Sequence, residues 1–173
     1  MGNIQTSERI PLETLDQWVL QYEKDLLRLC CIYLRDWSAA EDAVQETFLK
    51  AYKAHASFRG ESHVKTWLIQ IALNQCRDMR RNSWYRYIDR RISLDSLPLA
   101  APPPSAENLA LSTAIMQLKP KYMEVVLLYF YEGYSMKEIA HMLQITEAAV
   151  SIRLTKAKQK LRTELEGGEN HEK

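Results

Sequence analysis

Apolar residues recur three and four positions apart along most of the chain, which is the spacing of one face of an α-helix. This spacing holds over residues 12–34, 38–54 and 63–82, and it returns after residue 105. No stretch alternates apolar and polar residues over the length of a strand between turn signals. We therefore expect an all-α fold.

A proline-rich segment interrupts the helical spacing between residues 92 and 106. It contains Pro98, Pro102, Pro103 and Pro104, and proline both breaks helices and favours an extended chain. We therefore predict two small helical domains joined by a linker. The predicted bounds are residues 1–91 for a domain of three to four helices, 92–106 for the linker, 107–166 for the second domain and 167–173 for a flexible tail.

The second domain carries the start and stop signals of closely spaced helices. Gly133 suits the end of one helix, and Ser135 with Glu138 forms a capping box that opens the next. Thr146 can cap the longer helix that follows. The short turn at residues 144–146 gives the spacing of a helix-turn-helix, whose second helix enters the major groove of DNA.

The longer helix has one apolar face and one polar face. Four apolar residues repeat four, three and four positions apart from Val150 to Leu161, which predicts a buried stripe. An ordinary helical hairpin with a solvated basic face fits the same pattern, and Gln144 stands in the turn where many such motifs have glycine. The residues expected on the exposed side are Glu147, Ser151, Thr155, Lys156, Lys158 and Gln159.

Positive charge is concentrated in two places, although the net charge of the chain is only +1. Residues 63–91 hold seven Lys or Arg against two Asp or Glu, and residues 153–162 hold a second basic cluster without an acidic residue. Two separate basic stretches suggest two contacts with nucleic acid.

The first basic stretch combines arginine with aromatic residues. Arg77, Arg80 and Arg81 share a predicted helix with Asn74, and several aromatic residues follow. This combination suits phosphate contact and base stacking on unpaired strands. An alternative stays open on these residues alone, in which the aromatics belong to the core and the arginines merely solubilise a helix end.

The sequence lacks the residue patterns of metal sites, catalytic sites and targeting segments. Three cysteines, two of them adjacent, form neither a disulfide framework nor a zinc-ligand spacing, so we expect no metal and no cofactor. No catalytic triad, paired-carboxylate or phosphate-loop pattern is present, so we expect neither an enzyme nor a small-molecule substrate. The N-terminus has no apolar stretch typical of a signal peptide, and the longest apolar run, 125–131, is too short to span a membrane. These features favour a cytoplasmic protein.

Two motifs in the first domain resemble those of the extracytoplasmic-function sigma factors, which are specificity subunits of bacterial RNA polymerase. Residues 40–48, with the sequence AEDAVQETF, resemble the polymerase-binding helix of that family. Residues 57–61, SFRGE, followed by residues 66–74, TWLIQIALN, are similar to its promoter-melting and minus-10-reading segment. With the helix-turn-helix included, the resemblance covers about residues 15–165.

The resemblance implies a protein that binds core RNA polymerase, directs it to specific promoters and helps to melt the minus-10 region. It implies polymerase contacts by Asp42, Gln45 and Glu46. It implies minus-10 recognition and melting by Phe58, Arg59, Trp67, Asn74, Arg77, Arg80 and Arg81. It implies minus-35 recognition by Glu147, Ser151, Arg153, Thr155, Lys156 and Lys158.

The resemblance also implies an anti-sigma partner, often membrane-anchored in the family, that covers the polymerase-binding surfaces of both domains. The alternative is a conventional helix-turn-helix regulator that binds duplex DNA without polymerase and uses residues 1–90 for sensing or dimerisation. The first domain shows no apolar-cavity pattern that would favour this alternative. We therefore expect a sigma factor whose partners are core polymerase and promoter DNA.

Overall fold

The computed structural model describes residues 11–54, 63–81 and 106–168, and all regular secondary structure within these ranges is helical. The chain divides into two compact units, Met1–Asp89 and Arg90–Lys173. The expected all-α class with two helical domains is therefore confirmed. Residues 92–105 of the predicted linker lie outside the described residues, so the linker and the exact domain bounds stay predictions.

Unit 1 is built from three helices in its described part: α1 (Leu12–Leu34), α2 (Trp37–Ala54) and α3 (Val64–Arg81). Each of these helices packs against the other two, because each carries one apolar stripe that only the other two can cover. The large side chains of the shared core include Leu26, Leu29, Ile32, Tyr33, Leu34, Val44, Phe48, Leu68, Ile69 and Leu73.

The turn between α1 and α2 is only two residues long, and its cap differs from the one predicted. Arg35 ends α1 in the left-handed region, with φ 58° and ψ 32°. This brings the carboxylate of Asp36 to the start of α2, where it accepts a 2.8 Å hydrogen bond from the Ala39 N–H. The sequence predicts an N-cap at Ser38, with Glu41 three residues on completing a capping box. This prediction was wrong, because the left-handed residue reverses the chain early and Ser38 lies inside α2.

The three cysteines are buried in the core of unit 1. A hydrogen bond between the Cys30 and Cys76 side chains, together with burial, raises the pKa of the Cys30 thiol well above its usual value. Burial, with a smaller contribution from the charge of Glu41, raises the pKa of Cys31 to about 12. Since thiolates are the reactive form, Cys30 and Cys31 behave as small apolar core residues.

Unit 2 is built from α4 (Ala106–Gln117), α5 (Pro120–Val126), a π-helical turn (Leu127–Tyr131), α6 (Met136–Leu143) and α7 (Glu147–Gly168). Helix α7 packs against α4, α5 and α6, so it organises this unit. The side chains that close the core include Ile115, Met123, Leu127, Leu128, Ile139, Val150, Leu154 and Ala157.

The predicted caps of the helix-turn-helix are present. The N–H of Ser135 donates to Oε2 of Glu138 at 2.8 Å, and the N–H of Glu138 donates to Oγ of Ser135 at 3.3 Å. The N–H of Ala149 donates to Oγ1 of Thr146 at 3.1 Å, which caps α7. Gly133, with φ 74°, ends the preceding helical run as expected.

Gln144 occupies the left-handed position of the turn between α6 and α7, with φ 54° and ψ 46°. Its N–H donates to the His141 carbonyl at 3.3 Å, and the Ile145 N–H donates to the Ala140 carbonyl at 3.0 Å. These bonds form a Schellman motif, which satisfies the last carbonyls of α6. The turn therefore takes the shape that glycine usually provides, but it does so with a side chain that strains the backbone.

We predict that Gln144→Gly stabilises unit 2 by about 0.5 to 1 kcal/mol, because relief of the left-handed strain exceeds the added flexibility of the unfolded chain. Hydrogen exchange of the α6 and α7 amides should slow by about twofold to fivefold. Gln144→Ala is the matched control and should give no such protection. Faster exchange in the glycine variant would contradict the prediction.

Candidate functional site

One face of α2 carries the residues predicted to contact polymerase. Asp42 and Gln45 are exposed and Glu46 is half-buried, while the opposite face of the helix is buried in the core. Leu49 continues the same strip, three and four residues beyond Glu46 and Gln45, and is 50% exposed. The sequence spacing predicts that Leu49 points inward together with Phe48. This prediction was wrong, because Phe48 and Ala51 already fill the core at this level of the helix.

Asn74 and Arg77 form one polar group on the outer side of α3. Asn74 is exposed, and Nη1 of Arg77 donates to its side-chain oxygen at 2.8 Å. The two residues are three positions apart, which places their side chains together on one helix face. The structure thus brings together two of the residues predicted to recognise the minus-10 element.

The other two arginines of α3 have different environments. Nη1 of Arg80 donates to the Tyr33 carbonyl at 3.2 Å, and its guanidinium lies 5.5 Å from the centre of the Tyr33 ring. Arg80 therefore ties α3 to α1. Arg81 has a side chain that is 79% exposed and forms an ion pair with Asp78 on its own helix. Three arginines that look alike in the sequence thus differ in the structure. Arg80 contacts another helix, Arg77 is half-buried beside Asn74, and Arg81 is exposed.

Trp67 lies on the side of α3 that faces α1. Its ring packs edge-to-face against Trp18, with centroids 6.2 Å apart and an interplanar angle of 81°. Trp67 is half-buried, so it contributes to the packing of unit 1 whatever else it contacts. Phe58 and Arg59 lie outside the described residues, so their predicted grouping with Trp67 and Asn74 stays a prediction.

Two further polar contacts, which the sequence pattern did not reveal, hold the helices of unit 1 together. Nζ of Lys65 pairs with Oδ2 of Asp25 at 2.8 Å and joins α3 to α1. Lys50 donates to the side-chain oxygen of Gln75 and joins α2 to α3. Neither pair is close in sequence, so no local spacing signals it. Both contacts fix the helices whose outer faces carry the predicted sites.

The outer face of α7 carries most of the residues predicted to contact the minus-35 element. Glu147, Ser151, Thr155, Lys156 and Lys158 are all exposed. Arg153 is half-buried, because it lies next to the buried Leu154 on the flank of the core-facing stripe. The structure therefore brings five of the six predicted residues onto exposed positions of one helix and places Arg153 at the edge of that face.

Unit 2 also has an apolar groove that sequence analysis missed. Its volume is about 510 Å³, and it lies between α4, the π-helical turn and the second half of α7. The turn closes with a hydrogen bond from the Glu132 N–H to the Leu127 carbonyl, five residues back. This wider winding changes the helical phase and leaves Tyr129, Phe130 and Tyr131 between 37% and 53% exposed. The apolar run at residues 125–131 was the only sequence signal of the groove.

Two other kinds of feature are absent from the described part of the chain. Within residues 11–54, 63–81 and 106–168, no group of three or more His, Cys, Asp or Glu side chains lies close enough to hold a metal ion. No helix in the same part of the chain is both long enough and apolar enough to cross a membrane.

Comparison with known proteins gives matches over both units. The sigma-70 region 2 family matches residues 18–86, and the sigma-70 region 4 family matches residues 108–161. The ECF RNA polymerase sigma factor SigM of Bacillus subtilis is 31% identical over 163 residues, which cover 92% of this chain and 99% of that protein.

A second relative is longer than this chain. The protein named Probable RNA polymerase sigma factor RfaY, of Xanthomonas campestris, is 34% identical over 140 residues. The match covers 76% of this chain but only 35% of that relative. The similarity therefore concerns about a third of the longer protein.

The fold is similar to that of a solved structure. The sigma factor RpoE from Bartonella quintana, crystallised in complex with the anti-sigma factor NepR, matches with a TM-score of 0.72 and 22% identity. The match covers 89% of this chain and 98% of that one. At this identity the likeness extends to the fold.

We predict that Arg80→Ala destabilises unit 1 by about 1 to 2 kcal/mol, because it removes both the stacking on Tyr33 and a charged hydrogen bond. Arg81→Ala removes the same charge from the next residue, but its exposed ion pair contributes less than about 0.5 kcal/mol. The four tryptophans lie within residues 18–84, so their fluorescence in a urea titration reports on unit 1. Equal losses in the two variants would contradict the assignment.

Proposed function

This chain belongs to the extracytoplasmic-function group of RNA polymerase sigma factors, and on that premise we propose which of its surfaces meet polymerase and which meet promoter DNA. The observation that carries the function is the order of the two matched regions. Sigma-70 region 2 matches the first helical unit and region 4 matches the second. A conventional regulator with a helix-turn-helix alone would leave the first match unexplained.

We propose that the outer face of α2 binds polymerase. Asp42 and Gln45 are exposed, Glu46 is half-buried beside them, and the buried face of α2 holds the helix rigidly in the three-helix core. A rigid helix presents these groups with little loss of conformational entropy on binding. Carboxylate and amide groups at such a face suit a basic, polar partner surface. We assign this contact to the core polymerase.

We propose that the outer face of α3 and the segment that precedes it recognise the minus-10 element. The hydrogen bond from Arg77 occupies the oxygen of the Asn74 side chain, so the amide N–H₂ group is the end that would donate to a captured base. Arg77 and Arg81 would contact the phosphate backbone beside it. Arg80 would act mainly by holding α3 against α1. Phe58 and Arg59 are included in the proposed surface on the basis of the sequence alone.

Base capture needs energy from other contacts. Flipping a base out of the stack costs a few kcal/mol in lost stacking and pairing. Binding to polymerase and to a second DNA element can supply that energy, and α7 offers the second contact. Its exposed Ser151 and Thr155 would reach base edges, and Lys156 and Lys158 would reach phosphates. We propose that this helix reads the minus-35 element.

An anti-sigma protein is the proposed regulatory partner. The structurally similar RpoE of Bartonella quintana was crystallised with the anti-sigma factor NepR. We propose that a comparable inhibitor covers the polymerase-binding surfaces of this chain, and that a membrane anchor on the inhibitor is one way to control it. The site of action is the cytoplasm, where polymerase and promoter DNA are found. Sigma factors are non-catalytic subunits, and we propose no catalytic activity for this chain alone.

Run-off transcription tests the function directly. Purified core polymerase is incubated with fragmented genomic DNA, with and without this protein, and the RNA start sites are mapped. We expect new starts that share two spaced upstream elements. No new starts, together with direct binding of the protein alone to duplex DNA, would instead identify a conventional regulator.

We predict that Asp42→Ala with Gln45→Ala weakens binding to core polymerase by about tenfold or more, since residues at the centre of an interface cost over 1 kcal/mol on truncation. Binding is measured by fluorescence anisotropy of labelled protein against core polymerase. The matched control is Asp16→Ala with Gln17→Ala, which removes the same residue types from the exposed face of α1 and should leave polymerase binding unchanged.

We predict that Asn74→Ala leaves polymerase affinity unchanged and lowers promoter opening, because its side chain acts on the unpaired base. Opening is followed by permanganate reactivity of thymines near the start site. Equal loss of polymerase binding and promoter opening in the α2 double variant and in Asn74→Ala would contradict the proposed division between α2 and α3.

A further inference from the structure

Ile152 is an exposed apolar residue on the outer side of α7. Its side chain is 55% exposed, and it lies in the second turn of the helix, which begins at Glu147. Ala148, one turn earlier, and Thr155 and Lys156, one turn later, are exposed as well. Ile152 carries no sequence signal of a DNA contact, because an apolar side chain suggests neither a phosphate contact nor a hydrogen bond to a base.

The core of unit 2 does not explain an isoleucine at this position. The buried stripe of α7 is formed by Val150, Leu154 and Ala157. Ile152 is two residues from both Val150 and Leu154, which places it about 160° around the helix from each of them. A polar residue with higher helix propensity would serve the fold at least as well, since β-branched residues are slightly unfavourable in helices.

The neighbours of Ile152 give this turn of α7 an apolar centre with polar edges. The hydroxyl of Thr155 donates to the Ser151 carbonyl at 3.0 Å, so its proton is used within the helix. Thr155 therefore offers a partner its γ-methyl group and its oxygen lone pairs. Ala148, Ile152 and the methyl group of Thr155 follow one another along one face at four and three residues, with Lys156 beside them.

We propose that Ile152 reads a thymine of the minus-35 element through the thymine C5-methyl group. This inference rests on the proposed function of α7 as the recognition helix. Thymine is the base that presents a methyl group in the major groove, and apolar side chains contact that group directly. An isoleucine cannot hydrogen-bond, so its discrimination comes from burial of the methyl group against its own side chain. Ala148 and Thr155 extend the same apolar surface.

The test replaces each thymine of the mapped minus-35 element, one at a time, with deoxyuracil, which lacks only the methyl group. Affinity of the holoenzyme for each promoter fragment is measured by competition at fixed salt. At one position the wild-type protein should lose about threefold to fivefold in affinity, the value expected for one buried methyl group. Ile152→Ala should bind the thymine and deoxyuracil fragments equally at that position.

Lys156→Ala is the comparison variant. It should lower the affinity for every fragment by a similar factor and make that affinity less dependent on salt, as expected for a phosphate contact. It should also keep the loss of affinity that follows replacement of the thymine by deoxyuracil. Ile152 is on the surface, so Ile152→Ala should keep the folded state, which circular dichroism of the variant checks.

Three outcomes would overturn the proposal. In the first, no replacement of a thymine by deoxyuracil changes the affinity of the wild-type holoenzyme. In the second, Ile152→Ala keeps the full loss of affinity on deoxyuracil. In the third, Ile152→Ala lowers the affinity for all fragments by the same factor. Each of them is compatible with promoter-dependent transcription. Absence of any polymerase-dependent start site would instead contradict the proposed function, so the two failures are distinguishable.

Discussion

Each unit closes its core with the apolar faces of its helices, and this constraint governs the rest of the protein. In unit 1, three amphipathic helices cover one another, and no additional layer of described residues covers their outer faces. In unit 2, α7 alone packs against α4, α5 and α6. Because the inner faces are committed to packing, the outer faces of α2, α3 and α7 are available to other molecules, and their geometry is fixed by the cores beneath them.

Polar contacts at the margins of the cores set the orientation of those outer faces. Lys65 with Asp25 and Lys50 with Gln75 join α3 to its two neighbours, and Arg80 adds a contact with Tyr33. These contacts are partly exposed, so each contributes modestly to stability. The buried stripe of α3 sets the rotation of the helix, and these contacts help to hold it, so that Asn74 faces outward while Trp67 faces α1.

Local signals were sufficient where the interacting groups are close in sequence. Ser135, Glu138 and Thr146 cap their helices as predicted, because a cap depends on residues two or three positions apart. The all-α class and the buried stripe of α7 also followed from spacing alone. Ser38 is an exception. Its capping signal is local, but the left-handed residue Arg35 moved the start of α2 to Trp37, and a positive φ at arginine has no reliable signal in the sequence.

The amino-acid sequence by itself determined the helical class, the division into two domains, the helix-turn-helix and the family, because these depend on periodicity and on short motifs. Only the tertiary structure decided which residues at the edge of each apolar stripe are buried. Leu49 is exposed and Arg80 is held against Tyr33, although spacing alone permits either arrangement. The physical reason is that an edge position on a helix is buried or exposed according to the neighbouring helix, and that neighbour is brought there by residues far away in the chain.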